Sequence, residues 1–408
     1  MSDRAASGTA AQPDRTGLLD RLSRTRAAVL AQIAERDRDF PSRRITSYPW
    51  QTVTRMLQYI RDLTPENLLD IRIHTDPFIG TLSARFWLSK TASDFESLYR
   101  FYGEGVPDAY WAYEPELPAL AGTDYGYRIG GRLLSDVATE YQRYVCNLYR
   151  LGMFQLMEQT VHRPVVLEIG AGHGGFAQLF AAICRRSHCY VIVDLPETLL
   201  FSAIFLNVHH PDKRIYTYAP GDDLEGVIAD RDAYDFILVP DYHLSRLGGL
   251  ERLDTAFNHV SFPEMPSEIL REYLRFIRAR LDGYLISVNY RGVPDTGRAH
   301  VDEVLSEYFT LSPTMADLAA LLHSNNQVIN DINCRPTIVC SSSIERRRQI
   351  AGRHLHDLIG TTGQRYVCSF QQDASILSLR GEKRVSRGWR RIIKRLARRT
   401  PVVRRLIR

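Results

Sequence analysis

Residues 165–176 read VVLEIGAGHGGF, an apolar run that ends in the carboxylate Glu168 and then places four glycines within six positions. Glycine has no Cβ, so Gly170, Gly172 and Gly174 leave bare backbone where a strand turns into a helix. The first N–H groups of that helix then face a crevice. A ligand with an anionic group can lie flush there. Gly170-x-Gly172-x-x-Gly175 also satisfies the dinucleotide fingerprint, and Asp194, 24 residues beyond Gly170, stands near the position of its ribose-binding acid. The glycines alone leave a dinucleotide and an aminoacyl nucleoside both open. Glu168 separates the two, because its charge repels a pyrophosphate and attracts an α-ammonium, directly or through water.

S-adenosylmethionine has that ammonium, a carboxylate for the helix terminus and a ribose diol for Asp194. The run LEIGAGHGG followed by VIVDLPETLLFSAIFLN resembles class I S-adenosylmethionine-dependent methyltransferases. With NHVSFPEM and YLISVNYR, the chain is more narrowly similar to bacterial sugar O-methyltransferases, over roughly residues 126–291. The resemblance implies that Glu168, Gly170, Gly172 and Gly174 form the cofactor loop and that Asp194 binds the ribose. It also puts Asn258, Ser261 and Glu264 at the mouth of the fourth strand position, where such enzymes present acceptor-binding and catalytic groups. His259 departs from the pattern, which has a small polar residue there.

Methyl transfer from a sulfonium is an in-line displacement, and a sugar hydroxyl needs a base or a metal to become a useful nucleophile. Two loops hold the candidates: Asp241 and His243 in VPDYHL, and Asn258, His259, Ser261 and Glu264 in FNHVSFPEM. Glu264 ranks first as base, followed by His259 and His243. Asn258 and Ser261 suit orientation of the acceptor, since neither takes up a proton at ordinary pH. A divalent metal held by Asp241 and Glu264 is an option that the sparse acidic clustering does not favour. Trp111, with Tyr113, offers an aromatic face for a pyranose ring. The rivals are an NAD(P)-dependent oxidoreductase and a non-catalytic scaffold on the same fold.

The elements that must position these residues follow from the apolar pattern. After Pro164, short apolar runs alternate with helical segments, which predicts an α/β, Rossmann-like class I methyltransferase sheet with helices on both faces. RPVVLEIGAG, CYVIVDLP, RIYTYAP, YDFILVP and YLISVNYR read as strands, LDTAFNHVSFPEM as a strand running into a loop, and RPTIVCSSS as a late antiparallel edge strand. The helix PSEILREYLRFIRARLDG takes Ser267 as its cap and Asp282-Gly283 as its stop. Upstream, residues 16–160 read as a mainly helical lid region that ends in one long helix over 133–157, capped at Ser135 or Asp136. A helix beginning at Thr16 packs on a partner copy in a homo-oligomer or on its own domain. The cofactor domain spans 161–345, with a C-terminal extension over 346–379 and a disordered segment over 1–15.

With 44% hydrophobic and 24% charged residues, the composition is that of a globular chain. No signal-peptide pattern or apolar stretch of membrane-spanning length is visible, so the expected location is cytoplasmic. Six scattered cysteines show neither a disulfide framework nor zinc spacing. The net charge of +5 conceals a basic tail over 380–408, with thirteen Lys/Arg against one Glu, so the remaining body is net acidic. There Trp389, Ile392, Ile393 and Leu396 fall at i, i+3, i+4 and i+7. That spacing predicts a helix lying on an anionic membrane surface at the inner face of the plasma membrane, and a solvated tail is the alternative. Nucleic acid is not an expected partner, because no basic patch accompanies a reader motif. The expected acceptor is a saccharide or glycan.

Overall fold

The computed structural model describes residues 15–45, 50–72, 74, 91–115, 126–289, 301–313 and 337–341. Of the segment expected to be disordered, 1–15, residues 1–14 lie outside the described residues, as does all of 346–408, the basic tail included, whereas Arg15 is helical.

The N-terminal part contains the helices α1 (Arg15–Asp39), α2 (Trp50–Asp62), α3 (Pro65–Leu68) and α4 (Ala92–Gly103). An antiparallel hairpin, β1 (Tyr127–Ile129) and β2 (Arg132–Leu134), then leads into α5 (Asp136–Arg150). Ser135 caps α5 by accepting the Ala138 N–H at 2.9 Å. The single long helix expected over 133–157 is therefore shorter at its start and broken near its end. Gly152, at φ +72°, turns the chain into a separate helix α6 (Met153–Gln159).

From Val165 the chain alternates β3 (Val165–Ile169), α7 (Gly175–Ile183), β4 (Cys189–Asp194), α8 (Pro196–His209) and β5 (Ile215–Thr217). It continues through α9 (Leu224–Ala229), β6 (Phe236–Pro240), β7 (Leu253–His259), α10 (Ser267–Arg280) and β8 (Leu281–Val288). Last come α11 (Val301–Ser306), β9 (Thr310–Pro313) and β10 (Thr337–Ser341). The strand order is β5-β6-β4-β3-β7-β8-β10-β9. The first six strands are mutually parallel, and β10 runs antiparallel to both β8 and β9. This is the Rossmann-like doubly wound sheet the sequence predicts, with two differences. The strand expected at the edge, β10, is covered by β9, and Asp282-Gly283 lies inside β8 instead of stopping α10. A Cβ on Gly283 would run into the Asp254 carbonyl, so β8 needs glycine there to approach β7.

Strand alternation sends Val165, Leu167 and Ile169 to one face, where α9, α10 and α11 pack, and Val166 to the other, under α5, α6 and α7. Helix α8 is apolar all round. Leu199, Ala203 and Leu206 face the sheet, while Leu200, Phe201, Ile204 and Phe205 receive Leu18, Leu22, Val29 and Ile33 of α1. The apolar stripe of α1 is thus spent on its own fold.

Candidate functional site

In an open α/β sheet the ligand crevice lies at the carboxyl ends of the strands, where the strand order reverses. Here that point is β3, with β4 on one side and β7 on the other. The turn leaving β3 carries Gly170, Gly172 and Gly174 at φ of +75°, +60° and +79°, a conformation that L side chains avoid. A Cβ on Gly170 would also strike the Ser261 hydroxyl. Asp194, at the end of β4, accepts the Gly172 N–H on Oδ2 at 3.1 Å and the Leu195 N–H on Oδ1 at 2.7 Å. Burial lifts its pKa to about 8; these two N–H groups oppose the shift, and the nearby charges of Asp241 and Glu168 add to it.

Asp241 follows Pro240, which is registered with Asp194 across β4 and β6. It is 4% exposed, and its Oδ1 has no hydrogen-bond partner among the described residues. Burial raises its pKa to about 7 against the opposing fields of Arg43 and Arg36. Arg36, on α1, grips Glu197 of α8 with two bonds of 2.9 Å, and both side chains are almost fully enclosed. The sequence analysis missed this pair. Its signal was Glu197 at the head of an otherwise apolar helix, because a buried acid needs a partner.

Glu168 stands elsewhere than its expected role requires. Alternation along β3 turns it to the face under α5, where it is 1% exposed. The Tyr190 hydroxyl donates to Oε2 at 2.8 Å, and His259 Nδ1 lies 3.4 Å from Oε1. Its carboxylate is thus enclosed beside the turn, held between Tyr190 and His259. The His259 ring stacks on Tyr144 at 4.5 Å and meets Phe176 edge-on, with Nε2 buried.

At the mouth of β7, Asn258 is fully enclosed. Its Nδ2 donates to the Ile169 carbonyl at 2.8 Å and to Ser261 Oγ at 2.5 Å, and its Oδ1 accepts from Asn289 at 2.9 Å. Asn258 and Ser261 thus tie the glycine turn to β7 and β8, which leaves the Asn258 amide committed to the fold instead of to an acceptor. Between them Val260 takes φ +68°, a strained value for a β-branched residue. Glu264 ends the short turn Phe262–Glu264 and is half-buried at this mouth.

The remaining candidates lie apart. His243 Nε2 sits 3.0 Å from the Tyr218 hydroxyl and 3.4 Å from Glu35 of α1, within a ring of aromatic side chains, so it joins α1 to the sheet. Trp111 donates to the Val106 carbonyl at 2.7 Å and packs edge-on against Tyr99, which makes it part of the packing around α4. Among the described residues, no three or more of His, Cys, Asp and Glu gather as a metal-binding group.

No family model matches the chain, and no curated protein matches it. Solved structures that resemble it include the pyocyanin biosynthetic protein PhzM, at 15% identity over 83% of this chain and 90% of that one, with a TM-score of 0.24. Phosphoethanolamine N-methyltransferase 2 of Haemonchus contortus, in complex with S-adenosylhomocysteine, is 11% identical over 47% of this chain and 52% of that one, with a TM-score of 0.27. Geranyl diphosphate C-methyltransferase of Streptomyces coelicolor A3(2) is 12% identical over 62% of this chain and 98% of that one, with a TM-score of 0.25. Similarity at this level leaves the fold class resting on the strand order and the glycine turn.

Proposed function

We propose that the chain is an S-adenosylmethionine-dependent methyltransferase that methylates a hydroxyl of a saccharide or glycan. The observation that carries this reading is a set of three carboxylates, with Glu168 and Asp241 both acting on Asp194 beside a bare glycine turn. A sulfonium nucleoside brings net positive charge, which favours ionisation of these acids, whereas the two phosphate charges of a dinucleotide would oppose it.

Each Asp194 oxygen keeps acceptor capacity beyond its backbone N–H, which suits ribose hydroxyls. Asp241 Oδ1 awaits a donor from the same nucleoside. Bound there, the cofactor supplies an electrophilic methyl group on sulfur. The chain's own part is to align the acceptor hydroxyl and take its proton, and Glu264 is the carboxylate we assign to that step. The saccharide class is supported by the resemblance of VDLPE together with N-x-x-S-F-x-E-M, and O-methylation by the same motifs.

Thermal-shift titration with S-adenosylmethionine, S-adenosylhomocysteine and NAD tests the cofactor. Transfer of a labelled methyl group to a panel of sugars and glycans tests the acceptor, and labelling of no saccharide would refute the acceptor class. We also infer peripheral membrane attachment through residues 380–408, on the strength of their basic amphipathic spacing. Equal co-sedimentation of the full chain and a chain ending at Gly381 with anionic liposomes would refute it.

A further inference from the structure

Helix α1 meets the fold through two faces. Its apolar face, with Leu18, Leu22, Val29 and Ile33, packs on α8. A polar face, with Gln32, Glu35 and Arg36 at i, i+3 and i+4, lies where the chain leaves β5, β6 and β4, which are neighbours in the sheet. Gln32 and Arg36 are almost fully enclosed, at 0% and 2% exposure.

Each residue of the polar face holds a different segment. Gln32 Nε2 donates to the carbonyl of Tyr218, the residue after β5, at 2.6 Å. Glu35 accepts the Tyr218 hydroxyl on Oε1 at 3.0 Å and the Tyr242 hydroxyl on Oε2 at 2.9 Å, with His243 Nε2 3.4 Å from Oε2. Arg36 holds Glu197, in the first turn of α8. Two of these contacts lie next to the acids of the crevice. Tyr242 follows Asp241, and its N–H hydrogen-bonds that carboxyl. Glu197 stands one helical turn beyond Asp194, whose Oδ1 accepts the N–H of Leu195 between them.

Buried charges add little stability over apolar residues of similar size, and their best-attested use is to fix one arrangement among several. Apolar contact is non-directional and tolerates small shifts of a helix, whereas hydrogen bonds of fixed length and angle do not. The apolar face therefore attaches α1, and the polar face sets its register on the three segments.

Resting on the cofactor reading above, we propose that Gln32, Glu35 and Arg36 are positioning residues of the cofactor site, which set from α1 the spacing of Asp194 and Asp241 that lets both acids engage one nucleoside. The site is completed by a helix that precedes the sheet domain.

The test is calorimetric titration of the full chain and its variants with S-adenosylhomocysteine, beside their melting temperatures. Glu35→Gln keeps the side-chain shape but turns an NH2 group toward one of the two hydroxyls that Glu35 accepts. It should weaken binding about tenfold. Tyr242→Phe, which keeps the ring stacked on Phe40, should weaken it in the same direction. Val29→Ala, on the apolar face, should lower the melting temperature and leave the affinity unchanged. Unchanged affinity in both Glu35→Gln and Tyr242→Phe would overturn the positioning role while leaving the cofactor reading intact. Equal losses of affinity in Glu35→Gln and Val29→Ala would also overturn it, by showing that binding follows the general attachment of α1. Failure of the unaltered chain to bind S-adenosylhomocysteine would overturn the cofactor reading and the positioning role with it.

Discussion

The Gly172 N–H reaches Asp194 Oδ2 at 3.1 Å, so the acid that ends β4 also holds the shape of the turn that leaves β3. Loss of charge at Asp194 should therefore act on the ligand through both residues. Asp194→Asn removes a charged acceptor, worth about 1.5–3 kcal/mol. It should weaken S-adenosylhomocysteine about 10- to 100-fold by calorimetry. An unchanged affinity would remove Asp194 from the site.

Cofactor affinity and stability should move in opposite directions with pH. Burial raises the pKa of Asp194 to about 8 and that of Asp241 to about 7, far above the values of an unfolded chain. The native ligand-free state holds these protons where the unfolded state has released them. Its stability from these groups is full below about pH 4 and is lost as pH rises through about 7 to 8. A cationic ligand favours the ionised acids, so binding should tighten over the same range and release protons. Melting temperatures and calorimetry in two buffers of different ionisation heat would measure both trends. Binding that weakens from pH 6 to 8.5 would contradict them.

Arg36 and Glu197 form an ion pair, at 2% and 0% side-chain exposure, between α1 and the helix that follows Asp194. Removing one partner strands a buried charge. Arg36→Met should cost about 3–5 kcal/mol in denaturant unfolding, and the double change Arg36→Met/Glu197→Leu should restore most of it. Additive losses in the double variant would show that the charges do not depend on one another.

Glu264→Gln keeps the shape of the side chain and cannot accept the proton. It should lower kcat by about 10²- to 10⁴-fold with little change in cofactor affinity. Full turnover in this variant would leave Glu264 as a residue of the turn only.

Much of this architecture was legible because it follows from local periodicity and backbone demands. The glycine turn announces itself through residues that alone tolerate positive φ, and each strand from Val165 to Val288 shows as an apolar run between turn signals. The Ser135 cap was readable for the same reason. What stayed hidden depends on partners distant in sequence. Glu168 was placed correctly on its strand, but its contacts with Tyr190 and His259 are set by side-chain alternation and by strands 22 and 91 residues away. His243 looks like a catalytic histidine until α1, from the other end of the chain, supplies Glu35. The break after Arg150 hangs on the single left-handed Gly152, which periodicity alone passes over. The destination of the α1 stripe could have been inferred from α8, since a helix apolar on every side must receive a second layer.

Equilibrium dialysis of the full chain against labelled S-adenosylmethionine, with and without excess NAD, tests the central claim most directly. The three carboxylates around the glycine turn predict stoichiometric retention of the sulfonium donor that NAD does not displace. Retention of NAD with no uptake of the donor would contradict the account.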